Sequence, residues 1–314
     1  MQPQSPTRTI TEPYRGRFAP SPTGPLHFGS LIAALASYLD AKANNGNWLL
    51  RIEDLDPPRE QPGATNKIIK TLESFGFQWD EAIVYQSQRH QRYHEILNEL
   101  AAQNATYACY CSRKSIREMG GIYLNHCRAI NKISNQPHAI RLKQSSTPLP
   151  FEDPVQGKLE QSDQQALEDF VVFRKDDLFA YQLAVVVDDI DQRINCIVRG
   201  ADLLDSTPKQ LRLYQLLNAT APSYLHIPLV LDSSGSKLSK QNYAPAIKPR
   251  DASNNLYRAL QLLGQNPESQ LQSATCEEIL AWGVNHWQWE RIPKTMNLKN
   301  QPLGNEGENH EAED

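Results

Sequence analysis

One segment near the start of this chain, residues 17–30, constrains its fold more than any other; its sequence is RFAPSPTGPLHFGS. Gly24 allows a tight turn, and the prolines around it fix φ and discourage helix. These prolines are Pro20, Pro22 and Pro25. Apolar residues then recur at helical spacing over residues 30–43. The segment therefore predicts a tight turn that leads directly into the N-terminus of a helix.

Strands are predicted on both sides of this helix. The run 47–52 is compact and apolar, as expected of a buried strand, and a short strand around 16–18 precedes the turn. A strand–helix–strand unit leaves unpaired N–H groups and a positive dipole end at the helix N-terminus, where His27 lies. Gly29 lets a ligand approach the backbone closely there. We therefore expect an α/β domain with a site for an anionic ligand at this helix.

A second polar segment, residues 237–241, brings two lysines onto a loop. Lys237 and Lys240 can neutralise phosphate charge, and together with His27 they would hold a triphosphate from two sides. Taken separately, the sequence His-x-Gly-Ser is typical of an ordinary helix cap. Only the combination of both segments predicts nucleotide chemistry.

These two segments resemble the signatures of a known enzyme family. Residues 27–30 resemble the HIGH motif of class I aminoacyl-tRNA synthetases, with Ser30 in place of the last histidine. Residues 237–241 resemble their KMSKS loop, with Leu238 in place of the methionine. Further blocks match the glutamyl branch of the family in the same order, at 17–24, 51–56, 198–202 and 207–210. The glutaminyl branch usually has Glu at the position of Ser21, so the resemblance implies glutamate as the amino acid.

The resemblance covers roughly residues 15–290 and implies a Rossmann-like α/β catalytic core with a zinc-bearing insertion and a small helical C-terminal region. The expected divisions are 15–106 and 169–245 for the two halves of the core, 107–168 for the insertion, 246–296 for the helical region and 297–314 for a disordered acidic tail. Helices are expected at 63–75, 88–103 and 209–218, a strand at 224–231, and two amphipathic helices within 251–290. Residues 184–187 and 194–198 are predicted to be strands, joined by an Asp-rich turn at 188–191.

Length separates the members of this family. At 314 residues the chain has room for a catalytic domain and an insertion. Full glutamyl-tRNA synthetases carry a further helical domain that reads the anticodon, and we expect this domain to be missing here. The chain is therefore similar to the glutamyl-Q tRNA(Asp) synthetase family, whose members activate glutamate with ATP and esterify it to the queuosine base of tRNA(Asp). This resemblance implies L-glutamate, ATP with Mg²⁺, and queuosine-modified tRNA(Asp) as partners, and no stable protein partner.

Three alternatives stay open from the sequence. A conventional glutamyl-tRNA synthetase would charge a tRNA 3′ end. Another nucleotidyltransferase with a related His-x-Gly-His signature would leave the zinc and glutamate blocks unexplained. An inactive paralogue acting as a binding module would show no exchange of pyrophosphate with ATP.

The resemblance also assigns site residues. The ATP site comprises His27, Gly29, Ser30 and Lys240, and the catalytic groups are His27, Gly29, Lys237 and Lys240. The glutamate site comprises Arg17, Ala19, Ser21, Glu53, Tyr181 and Arg199. Arginines suit bidentate contacts with carboxylates, Glu53 can accept from the ammonium, and the Tyr181 hydroxyl can donate to a carboxylate. Without the resemblance, the charged residues are typical of surface ion pairs and Tyr181 of a core residue.

A cysteine cluster suggests a metal. Cys109, Cys111 and Cys127 provide three soft ligands suited to tetrahedral Zn²⁺, unless they are simply reduced thiols. The fourth ligand is left open between Tyr123 and His126, although His126 directly precedes Cys127 and neighbouring residues seldom bind one ion in a tight site. The resemblance favours Tyr123 and implies one structural zinc.

Composition adds only broad limits. The net charge of −4 and the pI near 6.1 give no overall basic surface for nucleic acid. No run approaches the length of apolar sequence needed to span a membrane, and the first residues lack the apolar centre of a signal peptide. We therefore expect a cytoplasmic enzyme with reduced thiols and no membrane contact.

Overall fold

The fold is known from a computed structural model, which describes residues 12–123, 125–129, 136–144, 149–159, 167–231 and 245–299. In chain order the strands are β1 Arg15–Phe18, β2 Asn47–Ile52, β3 Val84–Tyr85, β4 Thr106–Cys109, β5 Ala139–Leu142, β6 Glu152–Asp153, β7 Gly157–Lys158, β8 Phe170–Phe173, β9 Cys196–Gly200, β10 Ser223–Ile227, β11 Leu229–Leu231 and β12 Asn297–Lys299. The α-helices are α1 Phe28–Ala43, α2 Ala64–Ser74, α3 His90–Ala102, α4 Arg113–Glu118, α5 Tyr181–Asp191, α6 Thr207–Leu216, α7 Ala252–Leu262 and α8 Cys276–His286. The predicted α/β class is confirmed.

Parallel strands form the centre of the molecule. β1, β2 and β3 pair in that order, and β9 pairs in parallel with β10. β1 lies beside β9, since the Asn195 N–H donates to the Arg15 carbonyl oxygen at 3.1 Å. Helix α1 packs on β1 and β9 and also contacts α7 and α8. The apolar residues of α1 and of the compact run in β2 are buried together in this core, which explains why both elements form where the sequence predicts.

One predicted strand is wrong. The run 184–187, expected as a strand, and the expected turn at 188–191 both belong to helix α5. A run of valines favours strand by itself, but these valines are buried in a core shared with α3 and α6. Asp188 and Asp189 are also buried, and arginines from other elements bind both carboxylates. Tertiary packing and charge pairing therefore override the local preference of this segment.

The segment expected as an insertion, 107–168, contributes to a small antiparallel sheet in the order β4-β5-β8, whose strand β8 lies just beyond the expected end of that segment. A two-stranded hairpin of β6 and β7 precedes β8 in the chain. The hairpin contacts the core, because Asp153 accepts a hydrogen bond from the His226 N–H of β10 at 3.0 Å. The insertion is thus attached to the core sheet through side chains as well as through the chain itself.

The C-terminal region contains the two expected helices, α7 and α8, which pack on each other and on α1. Residues 297–299, expected to begin a disordered tail, instead form β12, which pairs in parallel with β11. The rest of the expected tail lies outside the described residues. Across the described ranges no helix is long and apolar enough to cross a lipid bilayer.

Candidate functional site

A cavity of about 1150 Å³ opens at the carboxyl ends of the core strands. Ala19 follows β1, Glu53 follows β2 and Asp202 follows β9, and all three contribute to its lining. This is where ligands bind in open parallel sheets. The lining includes every residue assigned to glutamate by resemblance: Arg17, Ala19, Ser21, Glu53, Tyr181 and Arg199. Cys109 and Cys111 of the insertion also contribute, so one cavity connects the predicted glutamate residues with the predicted metal cluster.

Arg17 is held on one side of this cavity by a buried carboxylate. Its Nε and Nη2 donate to Asp189 of α5 at 3.1 and 3.4 Å. Arg51 of β2 donates to the same carboxylate at 2.7 Å. Burial opposes ionisation of Asp189, yet the two arginines hold its pKa below the ordinary value. Asp189 therefore stays ionised and fixes the guanidinium of Arg17 at the cavity wall.

Arg199 is held on another side, and the side chains of the described residues that accept its hydrogen bonds are neutral. Its Nη1 donates to Gln210 at 2.8 Å and to the Tyr181 hydroxyl at 3.5 Å. Its Nη2 donates to Thr207 at 2.9 Å, and its Nε donates to Nε2 of His226 at 3.0 Å. The long contact with Tyr181 is the weakest of these bonds, and both groups reach the cavity there. A ligand carboxylate can accept from both the guanidinium and the hydroxyl.

Glu53 is one of several acidic residues that line the cavity, and it is the one assigned to glutamate by resemblance. Its Oε1 is buried and makes no hydrogen bond to any described residue, while Arg51 Nη2 lies 3.7 Å away. Burial raises the pKa of Glu53 to about 7, the nearby Asp189 adds to the rise, and Arg51 and Arg17 oppose it. An unpaired buried oxygen in a cavity is costly, so it is suited to accept from a cationic ligand group.

No sequence motif selects Asp188 and Asp189, the buried carboxylates beside Arg17 and Arg51. Asp188 accepts from Gln86 at 2.7 Å and from Arg89 at 2.6 Å, and its oxygens also accept from the Tyr93 hydroxyl. Asp189 was assigned to a turn. The available signal was the spacing of Tyr181, Val185 and Asp189, which places them on one face of a helix.

The predicted ATP residues lie at the start of α1. His27 is the N-cap, and its Nδ1 accepts from the Ser30 N–H at 3.3 Å. Gly29 is in the first turn of the helix. Leu26 accepts at its carbonyl oxygen from the Ile247 N–H at 3.1 Å, and His27 forms a bridge with Ala246. Among the described residues, the three candidates here (His27, Gly29 and Ser30) are not part of the cavity lining. Lys237 and Lys240 lie outside the described residues, but the chain just beyond them contacts His27.

The predicted metal ligands are close together. The sulfur atoms of Cys109, Cys111 and Cys127 all lie within 4.8 Å of one another, and the last two are 3.5 Å apart. Two thiolates bound to one zinc at about 2.3 Å and a tetrahedral angle are roughly 3.8 Å apart. The Tyr123 hydroxyl accepts from the Cys127 N–H at 2.8 Å, and this tyrosine is buried in the same cluster, whereas His126 is exposed. The residues present therefore fit a tetrahedral ion.

Comparisons with known proteins agree with this geometry. The family model described as "tRNA synthetases class I (E and Q), catalytic domain" matches residues 14–299. A glutamyl-Q tRNA(Asp) synthetase of Pseudomonas fluorescens is 50% identical over 292 residues, which cover 93% of this chain and 98% of that protein. A protein of the same name from Vibrio cholerae is 48% identical over 285 residues, covering 91% and 94%.

Among solved structures, this chain is similar to a glutamate-tRNA synthetase from Elizabethkingia anophelis, with a TM-score of 0.77 and 24% identity. It is also similar to a glutamate tRNA ligase from Elizabethkingia meningosepticum in complex with its amino acid, with a TM-score of 0.76 and 25% identity. The matches cover 92% and 90% of this chain but only 68% and 66% of those proteins.

The chain therefore belongs to the class I tRNA synthetases of the E and Q type. Within that class, the two relatives that are 50% and 48% identical to this chain carry the name glutamyl-Q tRNA(Asp) synthetase. The glutamate-tRNA synthetases of similar fold are only 24% and 25% identical to it. The resemblance drawn from the motifs is confirmed at both levels.

Proposed function

We propose that this protein activates L-glutamate with ATP and transfers the glutamate to the queuosine base in the anticodon of tRNA(Asp). The observation that carries the proposal is the gathering of Arg17, Arg199, Tyr181 and Glu53 around one cavity. Glutamate has two carboxylates and one ammonium group, and these four side chains offer two guanidinium groups and, on Glu53, one carboxylate oxygen that has no hydrogen-bond partner among the described residues. The relatives named glutamyl-Q tRNA(Asp) synthetase, nearly as long as this chain, support the same substrate pair.

The first step needs no nucleophilic side chain. The α-carboxylate of glutamate attacks the α-phosphorus of ATP in line, a bond to that phosphorus forms, and pyrophosphate leaves. Positioning and neutralisation of the phosphate charge lower the barrier. We assign the triphosphate to His27, Gly29 and Ser30 at the start of α1, together with Lys237 and Lys240, and Mg²⁺ accompanies ATP.

In the second step a hydroxyl of the queuosine cyclopentene ring attacks the carbonyl carbon of the adenylate. The ester bond forms, AMP leaves, and the hydroxyl proton passes to the phosphate of the leaving AMP. The volume of the cavity, about 1150 Å³, exceeds what glutamate alone requires, which supports entry of a second substrate beside the amino acid.

We assign one structural Zn²⁺ to Cys109, Cys111, Cys127 and Tyr123. When bound, the ion would crosslink β4 to the segment that carries Tyr123 and Cys127, next to the cavity. Cys109 is the last residue of β4, so its position is coupled to the β4-β5-β8 sheet. Metal analysis of the purified protein is expected to find one zinc per chain, and Cys111→Ser is expected to lose it. A cytoplasmic location is part of the same proposal.

The test uses labelled glutamate, ATP and tRNA from cells with and without queuosine. Label that appears only on queuosine-bearing tRNA(Asp), and that survives removal of the tRNA 3′ end, supports the proposal. Label that is lost with the 3′ end indicates a conventional glutamyl-tRNA synthetase. Absence of glutamate-dependent exchange between ATP and pyrophosphate indicates an inactive paralogue.

A further inference from the structure

A chain of three buried side chains leads from the insertion to the cavity. Asp153 of β6, His226 of β10 and Arg199 of β9 are 1%, 0% and 4% exposed. Nδ1 of His226 lies 2.7 Å from Oδ2 of Asp153, and Nε2 of His226 accepts from Nε of Arg199 at 3.0 Å. The resemblance to the synthetase family did not select the first two residues.

Hydrogen-bond chemistry fixes the protonation of this histidine. Arginine nitrogens are donors only, so Nε2 of His226 must be an acceptor without a proton. Nδ1 therefore carries the proton and donates it to the Asp153 carboxylate. His226 is neutral in this arrangement, and burial, together with the charge of Arg199, lowers its pKa despite the contact with Asp153. Because the Arg199 guanidinium can only donate, it requires a neutral His226 ring in this tautomer.

The surroundings hold both partners of the histidine in place. Oδ1 of Asp153 accepts from the N–H groups of Val155 and Gln156, each at 2.9 Å, and its Oδ2 accepts from the His226 N–H. The ring of His226 stacks on Tyr224 with centroids 5.9 Å apart and an interplanar angle of 8°. The carboxylate is thus fully used by N–H donors, and the ring cannot rotate freely.

We infer that Asp153 and His226 are positioning residues, which hold the guanidinium of Arg199 in the orientation that binds the substrate carboxylate. With Nε fixed by His226, the two Nη atoms face Tyr181, Gln210 and Thr207, at the side of the cavity. Because Arg199 meets glutamate only under the function proposed above, this inference rests on that function.

The test compares variants by glutamate-dependent exchange of pyrophosphate into ATP. Asp153→Asn turns one acceptor oxygen into a donor that faces N–H groups in either amide orientation. His226→Leu removes the acceptor for Arg199, whereas His226→Gln keeps an acceptor near the position of Nε2. We expect the first two variants to raise the KM for glutamate roughly 10- to 100-fold with an unchanged KM for ATP, and His226→Gln to restore most of the affinity.

Gln156→Ala is the matched control. Gln156 lies in the same hairpin and donates to the His226 carbonyl oxygen at 2.9 Å, but it does not touch the guanidinium of Arg199. We expect this variant to keep the wild-type KM for glutamate. Calorimetric binding of L-glutamate, measured on each folded variant, provides the same comparison without turnover.

A second set of variants distinguishes the loss of Arg199 positioning from a general disturbance of the fold. In an Arg199→Lys background the guanidinium that donates to Nε2 is gone, although the Thr207 hydroxyl remains 3.2 Å from this nitrogen. Adding His226→Leu is therefore expected to change the KM for glutamate by less than about twofold. Equal KM values for glutamate in wild type, Asp153→Asn and His226→Leu would overturn the inference while leaving the proposed function intact. A wild-type enzyme that neither binds nor activates glutamate would instead overturn the proposed function, and the inference with it.

Discussion

Two arginines reach the same cavity, but the protein holds them in different ways. Arg17 is bound by the carboxylate of Asp189, whereas the side-chain partners of Arg199 are neutral amide, hydroxyl and imidazole groups. Arg17 thus already has a counter-charge, which it shares with Arg51, before any ligand arrives. Among the described residues, the side chains that accept hydrogen bonds from Arg199 are neutral dipoles, so we expect its charge to gain more from an incoming carboxylate. We therefore expect Arg17 to shape the site and Arg199 to supply most of its attraction for the acidic substrate.

The largest expected effect is the loss of glutamate activation when Arg199 is replaced. Arg199→Ala is expected to lower kcat/KM for glutamate activation by roughly 10³-fold or more, because it removes a charge-assisted contact and the partner of His226. The measurement is exchange of pyrophosphate into ATP. Arg92→Ala, which changes an arginine paired with Asp191 outside the cavity lining, is the control. A loss of less than tenfold would contradict the stronger role of Arg199.

Replacement of Arg17 is expected to change mainly the stability of the fold. Arg17→Ala leaves the buried Asp189 with Arg51 as its remaining cationic partner among the described residues. We expect the free energy of unfolding to fall by roughly 2–4 kcal/mol, since an undercompensated buried charge is costly. Urea denaturation followed by circular dichroism measures this fall. If Arg199→Ala destabilises the fold more than Arg17→Ala, the contrast between the two sides is wrong.

Glu53 lines the same cavity as the two arginines and is expected to make both stability and activity depend on pH. Its pKa is raised from 4.5 to about 7, so the folded protein binds more protons than the unfolded chain between these values. The free energy of unfolding therefore falls as pH rises through this window. Glu53→Gln is expected to be more stable than wild type at pH 8, by on the order of 2 kcal/mol, and yet to lose most glutamate activation.

Denaturation of wild type and Glu53→Gln at pH 4 and pH 8 checks the stability prediction, because the difference should appear only at the higher pH. In wild type, kcat/KM for glutamate should fall as pH drops below about 7, since a protonated Glu53 cannot attract the ammonium. A flat profile across that range would exclude Glu53 as the ammonium partner.

The smallest expected effect concerns Tyr181. Tyr181→Phe removes a hydroxyl that accepts from Arg199 at 3.5 Å, which is too long for a strong bond in the free protein. We expect the KM for glutamate to rise by roughly 5- to 20-fold and thermal stability to change little. An unchanged KM would show that the hydroxyl does not bind substrate, and that Arg199 acts alone on its side.

The sequence predicts those parts of the fold that depend on neighbours in the chain. β2 lies at Asn47–Ile52, as expected, because a six-residue apolar run that directly follows a helix-ending turn suits a buried strand. Helix α5 was expected as a strand, because its valines are β-branched and its burial by α3 and α6 is invisible locally. Local pattern therefore failed where packing between distant elements decides the structure.

The candidate site likewise contains some residues that the sequence predicts and others that it does not. Motif order selects the residues predicted to bind glutamate, and all of them line one cavity. The groups that support them were not selected, because Arg17 and Asp189 are 172 positions apart and His226 and Asp153 are 73 apart. A single histidine in an apolar strand is typical of a core residue. Nothing in its neighbourhood along the chain indicates that it contacts a ligand-binding arginine.

The hairpin of β6 and β7 couples the segment expected as an insertion to β10 of the core. Because Asp153 reaches His226 from this hairpin, a chimaera that exchanges the insertion with that of another synthetase must supply a carboxylate at the same place. Swapping the cysteine cluster alone does not meet this requirement. Recombination or directed evolution aimed at tRNA specificity should therefore keep the hairpin intact. One way to do so is to place the crossover before Phe151.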